Sequence, residues 1–389
     1  MSRQLPSPRT LAAIAVLVTA LPAVLLACSH AAKPPAPSSS APATPHAAPP
    51  TPACGDPAAL PLRDKLAQLL MVGVKDAADA RAVVTDHHVG GIFIGSWTDL
   101  SMLSDGSLTD IAAHAGPLPL AVSVDEEGGR VSRLSSLIGS TPSARVLAQT
   151  KTVDDVYQLA LDRGRRMHER GITVDFAPVV DVTDAPDDTV IGDRSFGSDP
   201  ATVTDYAGAY ARGLRDAGLL PVLKHFPGHG HGSGDSHTGG VVTPPLAALQ
   251  DNDLVPYRTL VTQTPVAVMM GHLQVPELTG DNPASLSPEA VRLLREGTGY
   301  HGPAFDGPVF SDDLSSMAAI SEHYGVPDAV LHSLQAGVDV ALWVTTDEVG
   351  AVLDRLEQAV GAGELTTPAV DASLRRVAAI KGPNSHCGG

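Results

Sequence analysis

A glycine-rich segment at 225–237 carries four histidines and an aspartate, directly after a short apolar run. These side chains are His225, His229, His231, Asp235 and His237. Histidine titrates near neutral pH, so the segment could move protons as a general acid and base. Histidine and aspartate also bind metals, but the segment lacks a helical His-x-x-x-His pair with a glutamate base. Proton transfer is therefore the leading interpretation, and for His231 we expect only a solvated or backbone-bonded side chain.

A pair of aspartates, Asp312 and Asp313, ends another apolar run. Asp312 closes the run, and a carboxylate at the end of a strand can project into the mouth of a barrel. Asp313 then points elsewhere or caps the helix that follows. The alternative is that both carboxylates only cap that helix.

The segment 124–133 combines acidic residues, two glycines and two arginines. Its first carboxylate is Asp125, at the end of an apolar run, and its last cation is Arg133. A carboxylate accepts paired hydrogen bonds from hydroxyl groups and arginine donates a fork of them, so the segment is typical of a polyol-binding loop. A surface cluster of ion pairs has the same composition and is the alternative.

Short apolar runs that alternate with helical segments must position these groups. The eight runs are 69–74, 91–95, 118–125, 173–182, 221–225, 266–272, 308–312 and 338–344. The clearest helical segments are 153–170, 201–217, 349–360 and 370–380. This alternation predicts parallel strands, and eight units over roughly 320 residues predict an α/β fold, a single-domain (β/α)8 TIM-type barrel.

An open, doubly wound sheet would have a similar number of strands, but two observations favour the barrel. No glycine-rich dinucleotide fingerprint follows the first run. Polar residues end several different runs, and a closed barrel gathers such positions on one face, where its active sites lie. These residues are Asp125, Asp181, His225, His272 and Asp312.

Residues 1–27 have the features of an export signal. Arg3 and Arg9 precede an apolar run at 11–27, and Cys28 follows Leu-Leu-Ala in a pattern similar to a lipobox. We therefore expect a lipoprotein signal peptide, lipidation of Cys28, and a Pro/Ala-rich tether at 28–53. The chain would then be exported and anchored to the cell membrane by its lipid, facing the cell wall. A plain signal peptide and an uncleaved span are the alternatives.

Two further cysteines, Cys54 and Cys387, bracket the predicted folded domain at 54–389. Export exposes a chain to oxidising conditions and domain termini often lie close together, so we expect a disulfide between them. Two free thiols are the alternative. The net charge of −17 makes nucleic acid an improbable partner, because so acidic a chain repels a polyphosphate.

Six segments together resemble glycoside hydrolase family 3, in particular its bacterial β-N-acetylhexosaminidase branch. In chain order they are VDEEGGRVSR at 124–133, DFAPVVDV at 175–182, IGDRSF at 191–196, KHFPGHG at 224–230, DSH at 235–237 and FSDDL at 310–314. Each segment is moderately specific alone, but the ordered set is strong. The loop before Asp235 has more glycine than the family pattern, which bears on its rigidity and not on the reaction.

The resemblance implies a role for each matched position. Asp312 matches the family nucleophile, His237 the acid/base of this branch, and Asp235 the partner that orients it. The sugar-binding positions are matched by Asp125, Arg133, Arg194, Lys224 and His225. The resemblance also implies one barrel domain, because larger relatives carry their acid/base in a second domain.

The activity implied is that of a retaining exo-β-N-acetylglucosaminidase that acts on cell-wall fragments through a covalent glycosyl-aspartate. It needs no cofactor and no metal, its substrates are glycans that contain N-acetylglucosamine, and we expect a monomer. Three alternatives stay open: a β-N-acetylglucosaminide phosphorylase, a metal-dependent hydrolase that uses the histidine-rich segment, and a sugar-binding surface lipoprotein without activity.

Overall fold

Eight parallel strands form a barrel. The computed structural model describes residues 56–382. The barrel strands are β1 (Leu70–Val74), β2 (Gly91–Ile94), β3 (Ala121–Val124), β4 (Val174–Asp175), β5 (Leu220–Phe226), β6 (Ala267–Met270), β7 (Val309–Ser311) and β8 (Ala341–Trp343). Each strand from β1 to β7 pairs with its neighbours in sequence, and β8 pairs with β1. A parallel bridge between Phe310 and Val340 joins β7 to the start of β8. The predicted (β/α)8 architecture is confirmed.

The run predicted at 173–182 departs most from the observed strand. β4 covers only two residues of it. Pro178 has no N–H to donate, so the ladder cannot continue through it. Pairing with β5 resumes as a single bridge between Val179 and Lys224. Each of the other predicted runs overlaps its strand.

Fourteen α-helices in the described range surround the strands. They are α1 (Leu62–Ala67), α2 (Ala77–His87), α3 (Ser107–Ala113), α4 (Ser135–Ile138), α5 (Ala144–Thr150), α6 (Val153–His168), α7 (Pro200–Asp216), α8 (Leu246–Asp251), α9 (Val255–Leu260), α10 (Pro288–Glu296), α11 (Ala318–Ser321), α12 (Val326–Ala336), α13 (Val349–Ala362) and α14 (Thr367–Lys381). The four predicted helical segments correspond to α6, α7, α13 and α14.

The two long helices α6 and α7 begin at signals that are visible in the sequence. At α6, the Thr152 hydroxyl accepts the N–H of Asp155 while the Asp155 carboxylate accepts the N–H of Thr152, which forms a capping box. At α7, the Asp199 carboxylate accepts two N–H groups of the first turn and Pro200 occupies the first helical position. These caps fix where each helix leaves the loop at the mouth of the barrel.

Two short ribbons and five 3-10 helices complete the described elements. One ribbon is antiparallel, Glu126–Gly128 with Val131–Ser132, and the other is parallel, Val241–Val242 with Leu273–Gln274. The 3-10 helices are Pro57–Ala59, Leu100–Leu103, Gly192–Arg194, Ala284–Leu286 and Thr298–Tyr300.

Aromatic side chains from three strands or strand ends meet inside the barrel. The ring centroid of Phe176 lies 5.8 Å from that of Phe93 on β2 and 5.6 Å from that of Phe310 on β7. All three rings are buried. They form a packed layer beneath the mouth, so the barrel is a filled core and not a channel.

The predicted signal peptide, the tether, the lipidation site Cys28 and the cysteines Cys54 and Cys387 lie outside the described residues. In the range 56–382, none of the helices has both the length and the apolar character needed to cross a membrane.

Candidate active site

A pocket of about 330 Å³ opens at the C-terminal ends of β3, β5 and β7, the face of a TIM barrel that carries active sites. The structure brings eight of the predicted site residues together there: Asp125, Arg133, Arg194, Lys224, His225, Asp235, His237 and Asp312. Another cavity, of about 300 Å³, lies near the N-terminal ends of the strands, has mainly apolar walls and contains none of these residues.

Asp312 directly follows β7. Its backbone N–H donates to the carbonyl of Met270 (3.1 Å), and its Oδ1 accepts the N–H of Asp313 (2.9 Å). Burial raises the pKa of Asp312, but the neighbouring His225, the Asp313 N–H and the charge of Lys224 together hold that pKa below its ordinary value. Asp312 is therefore ionised near neutral pH, as a carboxylate nucleophile must be.

Asp313 caps the turn after β7. Its carboxylate accepts the N–H groups of Ser315 (2.8 Å) and Ser316 (3.2 Å). The ring of His272, at the end of β6, donates from Nε2 to the carbonyl of Asp313 (2.7 Å) and accepts the Ser285 hydroxyl at Nδ1 (2.6 Å). Burial lowers the pKa of His272, so the ring is neutral and has the single N–H that this arrangement needs. These contacts fix the backbone that carries Asp312.

Two basic and two acidic side chains alternate along the base of the pocket. Lys224 Nζ lies 2.5 Å from Asp125 Oδ1 and 2.7 Å from Glu127 Oε1, and the Arg194 guanidinium donates two hydrogen bonds of 2.8 Å to Glu127. Burial raises the pKa of Glu127, but the charges of Arg194 and Lys224 lower it well below its ordinary value. Burial lowers the pKa of Lys224, and the two carboxylates raise it above its ordinary value. Glu127, Lys224 and Arg194 are therefore charged, and the polar atoms of all four side chains are fixed by one another.

The loop after β3 is held by buried charges beneath it. Glu126 is fully buried, its carboxylate lies 2.5 Å from Arg163 Nη2, and its N–H donates to Asp175 Oδ1 (3.0 Å). Gly129 has φ +57°, and a Cβ there would lie 2.6 Å from the Cβ of Ser143. The turn thus requires glycine, and the buried pair fixes where the flanking carboxylates project.

Asp181 fixes the start of the histidine-rich segment. Its Oδ2 accepts the ring N–H of His225 at Nδ1 (2.7 Å), and its Oδ1 accepts the backbone N–H of His229 (2.7 Å). Burial raises the pKa of Asp181, but the charge and hydrogen bond of His225 lower it below its ordinary value. Because Nδ1 faces Asp181, the ring of His225 directs Nε2 towards Arg194, whose Nη2 lies 3.4 Å away.

The Asp235/His237 pair lies at the exposed rim of the same pocket. Asp235 Oδ1 accepts both the ring Nδ1–H of His237 (2.7 Å) and its backbone N–H (3.0 Å). Burial opposes ionisation of Asp235, but these two hydrogen bonds hold its pKa below its ordinary value. The carbonyls of Ser236 and His237 accept the N–H groups of Ala319 (3.2 Å) and Ala318 (3.4 Å) at the start of α11. The pair is thereby attached to the segment that follows β7 and Asp312.

His231 is paired with a carboxylate, whereas the sequence predicted only a solvated or backbone-bonded side chain. Its Nδ1 lies 3.0 Å from Oδ1 of Asp253, a buried carboxylate that follows α8. The hydrogen bond to Asp253 raises the pKa of His231 above its ordinary value. The pair attaches the middle of the histidine-rich segment to the barrel, between Asp181 and the dyad.

The model of the glycosyl hydrolase family 3 N terminal domain matches residues 61–380. The chain belongs to glycosyl hydrolase family 3. It is therefore a glycoside hydrolase, as its resemblance implied.

Relatives and solved structures agree with this family. The chain is 70% identical to Beta-hexosaminidase LpqI of Mycobacterium tuberculosis, over 98% of this chain and 99% of the relative. The solved structure of M. tuberculosis LpqI is similar with a TM-score of 0.85 at 73% identity and covers 86% of this chain and 99% of its own. A family 3 β-N-acetylglucosaminidase from Paenibacillus has a TM-score of 0.78 at 33% identity and covers 85% of this chain and 64% of its own.

The two arginines of the β3 loop differ in this family 3 pocket. Arg130 Nε lies 2.9 Å from Asp193 Oδ1, and its Nη2 donates to the carbonyls of Val190 and Ile191. Arg133 lines the pocket and has no ion pair or side-chain hydrogen bond to any other residue in the range 56–382. Its guanidinium is therefore free to bind a substrate.

Sequence reasoning gave no role to Glu127, Asp181 or His229. Glu127 fixes both cations of the pocket, and Asp181 orients His225. His229 is buried beneath the dyad loop, with Nε2 3.4 Å from the hydroxyl of Ser236. Of the three, only Asp181 had a usable signal, because it ends an apolar run as the other site residues do. Within the described residues, no group of three or more His, Cys, Asp or Glu side chains could hold a metal ion.

Proposed function

We propose that this family 3 glycoside hydrolase removes terminal β-linked N-acetylglucosamine from glycans by double displacement, with retention at the anomeric carbon. The observation that carries the proposal is the presence of Asp312 and the Asp235/His237 dyad in one pocket. The β-hexosaminidase and β-N-acetylglucosaminidase names of the similar proteins support it. A pocket of about 330 Å³ suits one sugar ring, which favours exo action on the end of a chain.

In the first step, a carboxylate oxygen of Asp312 bonds to the anomeric carbon while the bond to the leaving oxygen breaks. His237, cationic in this step, donates its proton to that oxygen, and the aglycone leaves as an alcohol. The ionised Asp235 stabilises the imidazolium and holds the Nδ1–H, so that Nε2 is the atom that exchanges protons.

In the second step, the neutral His237 removes a proton from water, whose oxygen attacks the anomeric carbon. The bond to Asp312 breaks, and its carboxylate is restored with the imidazolium. The charges of Lys224, Arg194 and Asp125, together with Arg133 and His225, bind the sugar hydroxyls and hold the ring in place.

Hydrolysis of 4-nitrophenyl β-N-acetylglucosaminide compared with the matching β-glucoside tests the proposal. We expect kcat/KM to favour the N-acetylglucosaminide by at least about a hundredfold, the scale of several contacts to one substituent. Equal or reversed preference would overturn the assignment. Activity should persist after exhaustive chelation, and its loss would favour the metal-dependent alternative.

Phosphorolysis is a second candidate because the acid/base is a histidine. A neutral imidazole does not repel a phosphate anion as a carboxylate would, so phosphate could take the place of water in the second step. Release of N-acetylglucosamine 1-phosphate in phosphate buffer would favour a phosphorylase. Free N-acetylglucosamine at an unchanged rate with rising phosphate would favour hydrolysis.

We further propose that the enzyme is exported and lipid-anchored at Cys28, with a Cys54–Cys387 disulfide, and that it acts as a monomer on peptidoglycan fragments. The supporting features are the apolar run that ends before Cys28, the Pro/Ala-rich tether and the two bracketing cysteines. In cells grown with a labelled fatty acid, the wild type should acquire the label and a Cys28→Ala variant should not. Equal labelling of both would contradict lipidation at this residue.

A further inference from the structure

Trp97 lies on the loop after β2, one strand away from a residue that lines the pocket. Ile94 at the end of β2 pairs with Val124 at the end of β3, so Gly95 and Asp125 are the next residues on adjacent strands. Adjacent strands lie about 4.8 Å apart. Asp125 lines the pocket, and Trp97 follows Gly95 by two residues. The indole therefore belongs to the catalytic face and lies outside the pocket itself.

The indole also extends the aromatic layer of the barrel interior upwards to the mouth. Its ring centroid lies 6.0 Å from that of Phe93, which contacts Phe176 in the buried layer. Trp97 is nevertheless 46% exposed, the largest exposed apolar side chain among the described residues. An exposed tryptophan that rests on the core at the mouth of an active site is a candidate contact for a ligand.

One face of the indole lies on Gly95. A Cβ at Gly95 would be 2.4 Å from Cη2 and 2.5 Å from both Cζ2 and Cζ3 of Trp97. Such similar distances to three adjacent carbons mean that the ring lies flat across the glycine, because an edge-on approach would leave two of them farther away. Any larger residue at position 95 would displace the ring. With Gly95 on one face, the exposed part of the ring lies on its other face and its edges.

The turn that carries Trp97 is held in a fixed shape. The Thr98 hydroxyl donates to the carbonyl of Val74 (2.6 Å) and accepts the N–H of Gly95 (3.0 Å). The N–H of Asp99 donates to the carbonyl of Lys75 (2.8 Å). These contacts attach the turn to the end of β1, so the ring is positioned before any ligand arrives.

We propose that Trp97 forms an aglycone subsite, on which the sugar next to the scissile bond stacks. The inference rests on the proposed function, because a pocket for one sugar leaves the rest of the glycan at the rim. The C–H bonds on one face of a pyranose ring carry partial positive charge and suit the negative face of an indole. The occupant is therefore a second sugar of the glycan, with its apolar face on the ring.

Substitution of Trp97 should affect substrates according to their aglycone. We expect Trp97→Ala to lower kcat/KM for N,N′-diacetylchitobiose roughly tenfold, which corresponds to about 1.4 kcal/mol of lost binding. It should change kcat/KM for β-N-acetylglucosaminyl fluoride less than about twofold, because fluoride is too small to reach the rim. Trp97→Phe should recover most of the disaccharide activity. Val146→Ala, which truncates another exposed apolar side chain, is the matched control and should change neither substrate.

The outcomes separate this subsite from the proposed function. Equal losses on both substrates would mean that Trp97 only maintains the fold at the mouth of the barrel. No loss on either substrate would mean that Trp97 does not contact the substrate. Either result would overturn the proposed subsite. A wild-type enzyme that hydrolyses neither substrate would overturn the proposed function itself. A loss confined to the disaccharide, with recovery in the phenylalanine variant, supports the subsite.

Discussion

The proposed nucleophile and the proposed acid/base residue have opposite environments. Asp312 is partly enclosed among cations and a backbone N–H, which keep it ionised. The side chain of His237 is 60% exposed and has one carboxylate partner, Asp235. A group that gains and loses a proton in each turnover needs access to water and a partner that tolerates both states, whereas a nucleophile needs one fixed charge state.

Asp235→Asn should distinguish leaving groups that need a proton from those that do not. The amide keeps the size of the side chain but removes the charge that stabilises the imidazolium. We expect kcat/KM for N,N′-diacetylchitobiose to fall about a hundredfold. With 2,4-dinitrophenyl β-N-acetylglucosaminide, whose leaving group needs no proton, kcat/KM should change less than about threefold. Thr238→Val removes another hydrogen bond of the same loop and serves as the control. Equal losses on both substrates would contradict the role of Asp235.

At the residue scale, the sequence allowed prediction of the groups that face the pocket but not of those behind them. The motifs in the sequence indicated the chemical roles of Asp312, His237 and Lys224. Glu127 stands inside such a motif, yet its partners Lys224 and Arg194 lie 97 and 67 positions away in the chain. Ion pairs of this range depend on the closure of the barrel, which no local pattern encodes.

The loop after β5 is attached at three places along its length. Asp181 fixes its start, Asp253 fixes its middle through His231, and the N–H groups at the start of α11 donate to carbonyls at its end. From the sequence alone, its many glycines left the rigidity of the loop open, and His231 had no predicted side-chain partner. Asp253 comes from a separate element, so the contact follows from tertiary structure.

His231→Asn should destabilise the enzyme in a pH-dependent way. The pKa of His231 is raised by Asp253, with smaller contributions from Asp184 and Asp181. Its stabilising effect is therefore complete below its unfolded value of about 6.5 and is lost as the pH rises through the raised folded value. Burial raises the pKa of Asp253, so the pair weakens again in acid when that carboxylate is protonated.

Thermal unfolding at pH 6 and pH 9 measures this effect. The difference in Tm between the wild type and His231→Asn should be roughly 2 °C at pH 6 and smaller at pH 9. His301→Asn is the control, because His301 is exposed and its positive φ suits asparagine. A difference that is the same at both pH values, or larger at pH 9, would contradict the ion pair.

At the scale of the whole molecule, the candidate active site and a cluster of buried ion pairs lie at opposite ends of the barrel. The pocket lies at the C-terminal ends of the strands. Near their N-terminal ends, the fully buried Asp339 lies 2.5 Å from Arg295 and 3.1 Å from Arg376 and accepts the N–H of Val309 (2.9 Å). The barrel and its helices could be predicted from the alternation of apolar runs, but this cluster could not, because its members come from three separate elements.

Asp339→Asn should lower stability without an effect on catalysis. The substitution leaves two arginines without their shared counter-charge, at a cost of about 3 kcal/mol. We expect Tm to fall by roughly 6 °C while kcat/KM, measured well below the transition, stays within about twofold. Asp306→Asn removes an exposed partner of Arg376 and should lower Tm far less. A large loss of kcat/KM in a folded Asp339→Asn enzyme would contradict this division of roles.

The most direct test of the account is the capture of the covalent intermediate. A His237→Ala variant lacks the base for the second step, and 2,4-dinitrophenyl β-N-acetylglucosaminide needs no acid for the first. Mass spectrometry of this mixture should detect the addition of one N-acetylhexosamine residue, located at Asp312, and the addition should vanish when Asp312→Ala is introduced as well. No addition at Asp312, with release of an oxazoline formed by the acetamido group of the substrate, would contradict the account.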